Sequence, residues 1–236
     1  MRKHLAFTLG LCGFGVVALD RPGFIIRWLA RRQPDVLFCT GVKAPLVALT
    51  VDDAPHAALT PAILDVLAEH CARATFFLIG ERVLGNEATV RRIVEEGHEL
   101  GNHLMRDASS IRLSAEAFEH QLLQTHDILS RFGPVRWFRP GGGWYNRRML
   151  GQLGRHRYRC ALGSVYAYDC HIRSAWYVSR HILRNTQPGS VIILHDGSES
   201  RRQTVTVLRR VLPALERRGY RVVTLSELAD PKMRQG

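Results

Sequence analysis

Cysteine is scarce and unpatterned in this 236-residue sequence. Its five residues, Cys12, Cys39, Cys71, Cys160 and Cys170, are odd in number and include no C-x-x-C pair. That excludes a disulfide framework and a zinc-ribbon pattern, and leaves most of them as small buried apolar residues. There is no low-complexity run, and the 23% charged fraction is ordinary for a folded chain. Long apolar runs are missing too. Residues 5–19 are apolar behind the basic Met1-Arg2-Lys3-His4, but fall short of the ~20 residues that a membrane-spanning helix needs. No good A-x-A cleavage site follows; Val17-Ala18-Leu19 is a poor one. Internal repeats and domain linkers are absent. A net charge of +12 comes without any nucleic-acid recognition motif, which argues against a nucleic-acid partner. The charge is mostly scattered arginine: either a solvated basic surface or one attracted to an anionic cell wall or membrane lipid.

Two regions emerge. Residues 1–44 form a hydrophobic and basic N-terminal segment that reads as a signal, an anchor or a packed helix. Residues 24–32 mix aromatic, aliphatic and arginine side chains that suit a membrane surface or the outside of a domain, so residues 5–32 are a candidate for membrane association. Cell-envelope residence, exported or membrane-associated, is favoured over cytoplasmic. From residue 45 to 236, strand-like segments at 45–51, 74–79, 98–101, 136–138, 159–163, 190–194 and 221–224 alternate with helical patterns. Ile63, Val66 and Leu67 share a face, as do Val90, Ile93 and Val94, then Phe118, Leu122 and Leu129, then Leu208, Val211, Leu212 and Leu215. Repeated β–α units imply an α/β domain of parallel strands covered by helices, either closed as a barrel or open and doubly wound. No oligomeric state is legible.

The reactive residues collect at one edge of this scheme. Asp52 and Asp53 follow the first strand, His103 the third, Arg139 the fourth, Asp169 comes shortly after the fifth, and His195 and Asp196 follow the sixth. In parallel α/β folds the C-terminal strand edge is where ligands bind. Each residue alone has a plain structural reading as a helix cap or surface pair; their common placement is the functional signal. Asp53, His103 and Asp107 offer two oxygens and a nitrogen, a three-ligand set with open positions that suits zinc, or iron, cobalt or manganese. Asp52 stands beside a ligand as a general base for water, and His195 is a general acid for the far side of a scissile amide.

The motifs carry a specific resemblance. Leu49-Thr50-Val51-Asp52-Asp53-Ala54-Pro55, Gly97-His98-Glu99-Leu100-Gly101-Asn102-His103, Phe138-Arg139-Pro140-Gly141-Gly142-Gly143-Trp144-Tyr145-Asn146, Asp169-Cys170 and Gly189-Ser190-Val191-Ile192-Ile193-Leu194-His195-Asp196 occur in order. They resemble the five motifs of the NodB-homology polysaccharide deacetylases, carbohydrate esterase family four, and the resemblance spans about residues 45–229. It implies a distorted (β/α)7 barrel, a divalent metal, commonly zinc, and hydrolysis of N-acetyl groups on a chitin-like or peptidoglycan glycan. It also implies roles: Asp52 as base, Asp53 and His103 as metal ligands, Arg139 orienting Asp52, Asp169 tuning the acid His195, Leu194 lining the acetyl-methyl pocket, and a backbone N–H near Gly142 holding the oxyanion.

Three positions depart from the family pattern. Asp107 stands where a second metal-binding histidine is usual. As a ligand it would leave a divalent ion formally neutral, which should acidify its water less or favour a harder metal than zinc; otherwise it faces solvent. Gly142 replaces a tyrosine, leaving Trp144 or Tyr145 to supply a sugar-packing wall. Cys170 replaces a tryptophan beside His195. Two alternatives stand beside the deacetylase: a C–N hydrolase for another amide, and a glycan-binding barrel that no longer cleaves.

Overall fold

The computed structural model describes residues 23–234. The run at residues 5–19 lies outside the described residues. The chain passes through α1 (Gly23–Arg32), β1 (Val36–Leu37), β2 (Leu46–Ala54), α2 (Leu59–Glu69), β3 (Ala74–Leu78), α3 (Glu87–Glu95), β4 (Glu99–Asn102), α4 (Ala115–Leu129) and β5 (Val135–Phe138). It continues through α5 (Arg147–Arg155), β6 (Arg159–Ala161), β7 (Val165–Tyr166), α6 (Ala175–Asn185), β8 (Val191–His195), α7 (Gln203–Arg217), β9 (Arg221–Val223) and α8 (Leu225–Ala229). The strands pair in parallel in the order β1-β6-β5-β4-β3-β2-β8-β7, with β9 beside the start of β2. This curled sheet with helices on its outside is the distorted (β/α)7 barrel, and its path has two ends, β1 and β7.

All seven expected strands are present. β1 and β7 were not expected, because two residues give no periodic signal. β1 draws the sheet back to Val36, ahead of the boundary read at residue 45: Val36 and Leu37 register with Cys160 and Ala161 of β6. On α1, Ile26, Leu29 and Ala30 pack against the main core. Trp28 faces out, 48% exposed, with Arg32 4.5 Å over its ring. No helix among the described residues is long and apolar enough to cross a membrane. Of the four described cysteines only Cys160 is fully buried and Cys71 is exposed, so the expectation of mostly buried cysteines fails.

Strand alternation sorts the core into two layers. Val47, Leu49, Val51, Phe76, Phe138 and Leu194 face outward and pack with helix residues such as Ile63, Leu67, Phe118 and Leu208. Leu46, Ala48, Phe77, Trp137 and Val191 face the interior, with Leu225 and Leu228 of α8 packed among them. α8 is anchored there by its Thr224–Glu227 capping box and by Leu225 N–H donating to Thr75 Oγ1 (2.9 Å). Thr50 and Asp52 continue the inward row of β2, so the interior turns polar toward the C-terminal strand edge.

Gly101 makes room for the Phe77 ring, its registered neighbour on β3. A Cβ there would stand 2.5 Å from Phe77 Cδ1 and 2.7 Å from Cε1. Phe77 lies beneath the Arg139 guanidinium, 4.2 Å from its ring centroid. Gly101→Ala is expected to overpack this contact and cost about 1–3 kcal/mol, read as a lower denaturation midpoint at unchanged m-value.

Candidate active site

Two carboxylates in sequence reach the same site because the register of β2 against β3 shifts between Val51 and Ala54. Such an irregularity breaks the strict alternation that would turn neighbouring side chains to opposite faces. Asp53 sits at φ 65°, a left-handed conformation that Asp tolerates better than most residues. Asp52, 4% exposed, is fixed by a 2.6 Å charge-assisted bond from Arg139 Nη1, which also donates to Thr50 Oγ1 at 2.7 Å. Arg139 Nε donates to the Ala161 carbonyl at 3.1 Å. A buried pair of this kind is costly to break from one side, about 3–5 kcal/mol.

Asp53 Oδ1 lies 3.4 Å from His103 Nε2. His103 Nδ1 is 2.7 Å from the Arg139 carbonyl. A carbonyl can only accept, so Nδ1 carries a proton and Nε2 is the nitrogen turned toward Asp53. Burial disfavours the imidazolium, but the hydrogen bond to Asp53 and the charges of Asp52 and Asp53 outweigh it and raise the His103 pKa. Burial likewise works against the Asp53 carboxylate, and His103, His195 and Arg82 outweigh it, lowering its pKa. This polarised pair fits one edge of a divalent-ion site: two ligands roughly 2.1 Å from a tetrahedral ion stand about 3.4 Å apart. Deprotonated Nε2 and the carboxylate are the donors such an ion takes.

Asp107 is not brought into that pair. It is 61% exposed, and its Oδ2 is 3.2 Å from Arg82 Nη2, while Arg82 Nη1 donates to the Asp53 carbonyl at 2.6 Å. One guanidinium thus separates Asp107 from Asp53. Among the described residues the three-donor grouping is a different one, Asp169, Cys170 and His195. Sequence spacing could not anticipate Arg82, which arrives from the turn after β3.

Gly197 closes this corner at φ 87°. A Cβ there would strike Arg82 Nη1 and stand 2.6 Å from the Asp53 carbonyl oxygen. Gly197→Ala is expected to push Arg82 and Asp53 apart. Melting should report a loss of about 1–3 kcal/mol from strain and overpacking, and metal titration a weakened Asp53–His103 pair.

His195 is held by Asp169, whose Oδ2 accepts from His195 N–H at 2.8 Å and whose Oδ1 lies 3.0 Å from Nδ1. The Asp169 loop is in turn stapled by Gln203 Nε2, which donates to the carbonyls of Asp169 (2.6 Å) and Ile172 (2.8 Å). His195 Nε2 faces Asp52 Oδ2 at 4.0 Å, since the two residues register across β2 and β8. Burial opposes charge on His195, but Asp169, Cys170 and Asp52 outweigh it and lift its pKa well above the ordinary value. The neighbouring Asp196 has a different task. Its carboxylate accepts from Thr60 Oγ1 and from Gly197 N–H (2.6 Å), tying β8 to α2, and burial lifts its pKa to about 6.

One sequence expectation is corrected. Leu194 is fully buried in the layer between sheet and helices, on the face opposite His195. It cannot line a pocket beside His195. Period-two geometry gives that face to Ile193, which keeps 9% exposure. The apolar run of β8 hides the alternation that would have made the choice. Gly142 is exposed at φ 70° in the turn after β5, and a Cβ on it would be 3.4 Å from Trp144 Cδ1. Trp144 therefore stands against Gly142 in this turn. Tyr145 instead packs on the core and donates its hydroxyl to Gln33.

A parallel barrel whose strand ends hold a clamped carboxylate, a histidine opposite it and an aspartate–histidine pair is a hydrolase scaffold of the metal-assisted type. The family model described as "Polysaccharide deacetylase" matches residues 40–161, and the chain belongs to that family. A peptidoglycan-N-acetylglucosamine deacetylase of Bacillus cereus is 36% identical over 187 residues, 78% of this chain and 87% of that protein. A chitooligosaccharide deacetylase of Sinorhizobium fredii is 33% identical over 201 residues, 80% of this chain and 94% of that one. The solved structure of the Bc1960 peptidoglycan N-acetylglucosamine deacetylase superposes with TM-score 0.80 at 30% identity, covering 84% of this chain and 95% of the other. The family's reaction is metal-dependent N-deacetylation of amino-sugar polymers.

Proposed function

We propose that this chain removes N-acetyl groups from glucosamine units of peptidoglycan, with chitin-like oligomers as a secondary substrate, and that it does so in the cell envelope. The observation that carries this reading is the pairing across one sheet rung of Asp52 and His195, beside the Asp53–His103 pair. The peptidoglycan deacetylases among its relatives and the net charge of +12, attractive to an anionic wall, support the choice of substrate.

Asp53 and His103 would hold the divalent ion, which supplies Lewis-acid polarisation of the acetyl carbonyl and of water. Asp52, its second oxygen free of Arg139, takes the proton from the attacking water. A backbone N–H at Gly142 steadies the negative charge on the former carbonyl oxygen. His195, charged and oriented by Asp169, gives its proton to the departing sugar amine. Ile193 bounds the space for the acetyl methyl, and Trp144 offers a face to the sugar. Zinc suits this donor set, with cobalt, manganese or iron as alternatives. Residues 5–32, with the outward Trp28 of α1, would hold the enzyme near the membrane surface.

Acetate release from peptidoglycan and from N-acetylated chito-oligomers tests this. Release should vanish with a chelator and return with added ion; no release with any divalent ion on either glycan would leave a barrel that binds without cleaving. Asp107 is proposed as a supporting residue that reaches the ion after leaving Arg82. Asp107→Ala is expected to weaken metal affinity about 10–100-fold in a calorimetric titration. Unchanged affinity would assign Asp107 to its surface pair alone.

A further inference from the structure

Asp169, Cys170 and His195 each present a donor atom, and these oxygen, sulfur and nitrogen atoms all lie within 4.8 Å of one another. Asp169 is buried, and Cys170 and His195 are partly open, so the group is reachable yet sheltered. The loop that carries two of the donors is held in place by Gln203, and the third stands at the end of β8. Metal–sulfur bonds near 2.3 Å and metal–nitrogen or –oxygen bonds near 2.0–2.2 Å set donors around one ion roughly 3.3–3.7 Å apart, so atoms already within 4.8 Å of one another need close in by only about 1 Å. The sulfur sets this group apart from Asp53 and His103, which offer only oxygen and nitrogen. A thiolate selects soft ions such as Cd²⁺ or Zn²⁺ and discriminates against Mg²⁺ and Mn²⁺.

We propose that Asp169, Cys170 and His195 form a second, inhibitory site for a thiophilic divalent cation, separate from the activating pair at Asp53 and His103. On ligation the Cys170 thiol and the His195 imidazolium each release a proton to solvent, and the thiolate, the carboxylate and the neutral imidazole leave the divalent ion formally neutral. The proton left on the other ring nitrogen then belongs to a neutral imidazole, far too weak an acid to give it to the leaving amine, and no nitrogen is free to take up another. The enzyme would be activated by its first ion and silenced by a soft second one. This consequence rests on the deacetylase reading; the site itself does not.

Cadmium is the probe, added to the full-length purified protein after metal removal. A thiolate-to-Cd²⁺ charge-transfer absorption is expected in wild type and in Cys71→Ala, which removes the exposed cysteine. It should be lost in Cys170→Ala and in Cys170→Ser, and weakened in His195→Ala. With glycan present, excess Cd²⁺ should slow the manganese- or cobalt-loaded wild type about tenfold or more. Each Cys170 variant, measured against its own cadmium-free rate, should resist. A band of equal strength in both Cys170 variants, verified as folded by circular dichroism, overturns the site. A protein that shows the band but releases no acetate overturns the deacetylase reading and leaves the site standing.

Discussion

Asp53→Ala is expected to lose metal and activity together, whereas Asp52→Asn keeps the metal and loses the reaction. The two residues are neighbours in sequence, yet their surroundings differ. Asp53 is paired with His103 at 3.4 Å and has its carbonyl pinned by Arg82. Asp52 is buried under Arg139 and opposite His195. Removing the Asp53 carboxylate leaves His103 as the single donor of the pair, too little to retain a divalent ion. Removing only the charge of Asp52 spares that pair but takes away the proton acceptor, a loss of about 10²–10⁴-fold in kcat. Metal content by elemental analysis, alongside acetate release, separates the two. If instead Asp52→Asn lost the metal while Asp53→Ala kept it and lost activity, the assignments of ligand and base would have to be exchanged.

The second large effect is in pH dependence. The raised pKa of His195 means that its proton is present at neutral pH and is lost only as pH climbs through the folded-state value. Activity that needs this proton should therefore hold through neutrality and fall on the alkaline side. The stability that the charged imidazole gains from Asp169 follows the same sign. It is fully present below the unfolded-state pKa and is lost as pH rises through the folded one. Asp169→Asn removes the charge that does most to keep the proton, so the alkaline limb of kcat/KM should move to lower pH. At mildly alkaline pH the rate should drop by about 10²–10⁴-fold. An alkaline limb that stays in place would remove Asp169 from control of His195.

Much of the barrel was legible because each long strand sits between an amphipathic helix and a turn. The common placement of Asp52, Asp53, His103, Arg139, Asp169 and His195 needed only strand order to be read. What escaped lies in contacts between distant segments. Arg82 comes from the turn after β3 and answers to Asp107, and Gln203 comes from α7 and answers to the Asp169 loop. Neither leaves a periodic trace. Two-residue strands β1 and β7 escaped for want of length. The error at Leu194 has another origin. Val191-Ile192-Ile193-Leu194 is apolar on both faces because β8 is buried on both, and a uniformly apolar strand does not announce which side chains look inward.

The direct registration of Asp52 against His195 has a wider meaning. The proposed donor and acceptor of the two proton movements are mounted on adjacent staves, in register from Ala48–Val191 up to their own position. The backbone separation is a property of the framework, while the Asp169 loop orients the imidazole. Loops other than that one can be recut without moving the two strand ends apart.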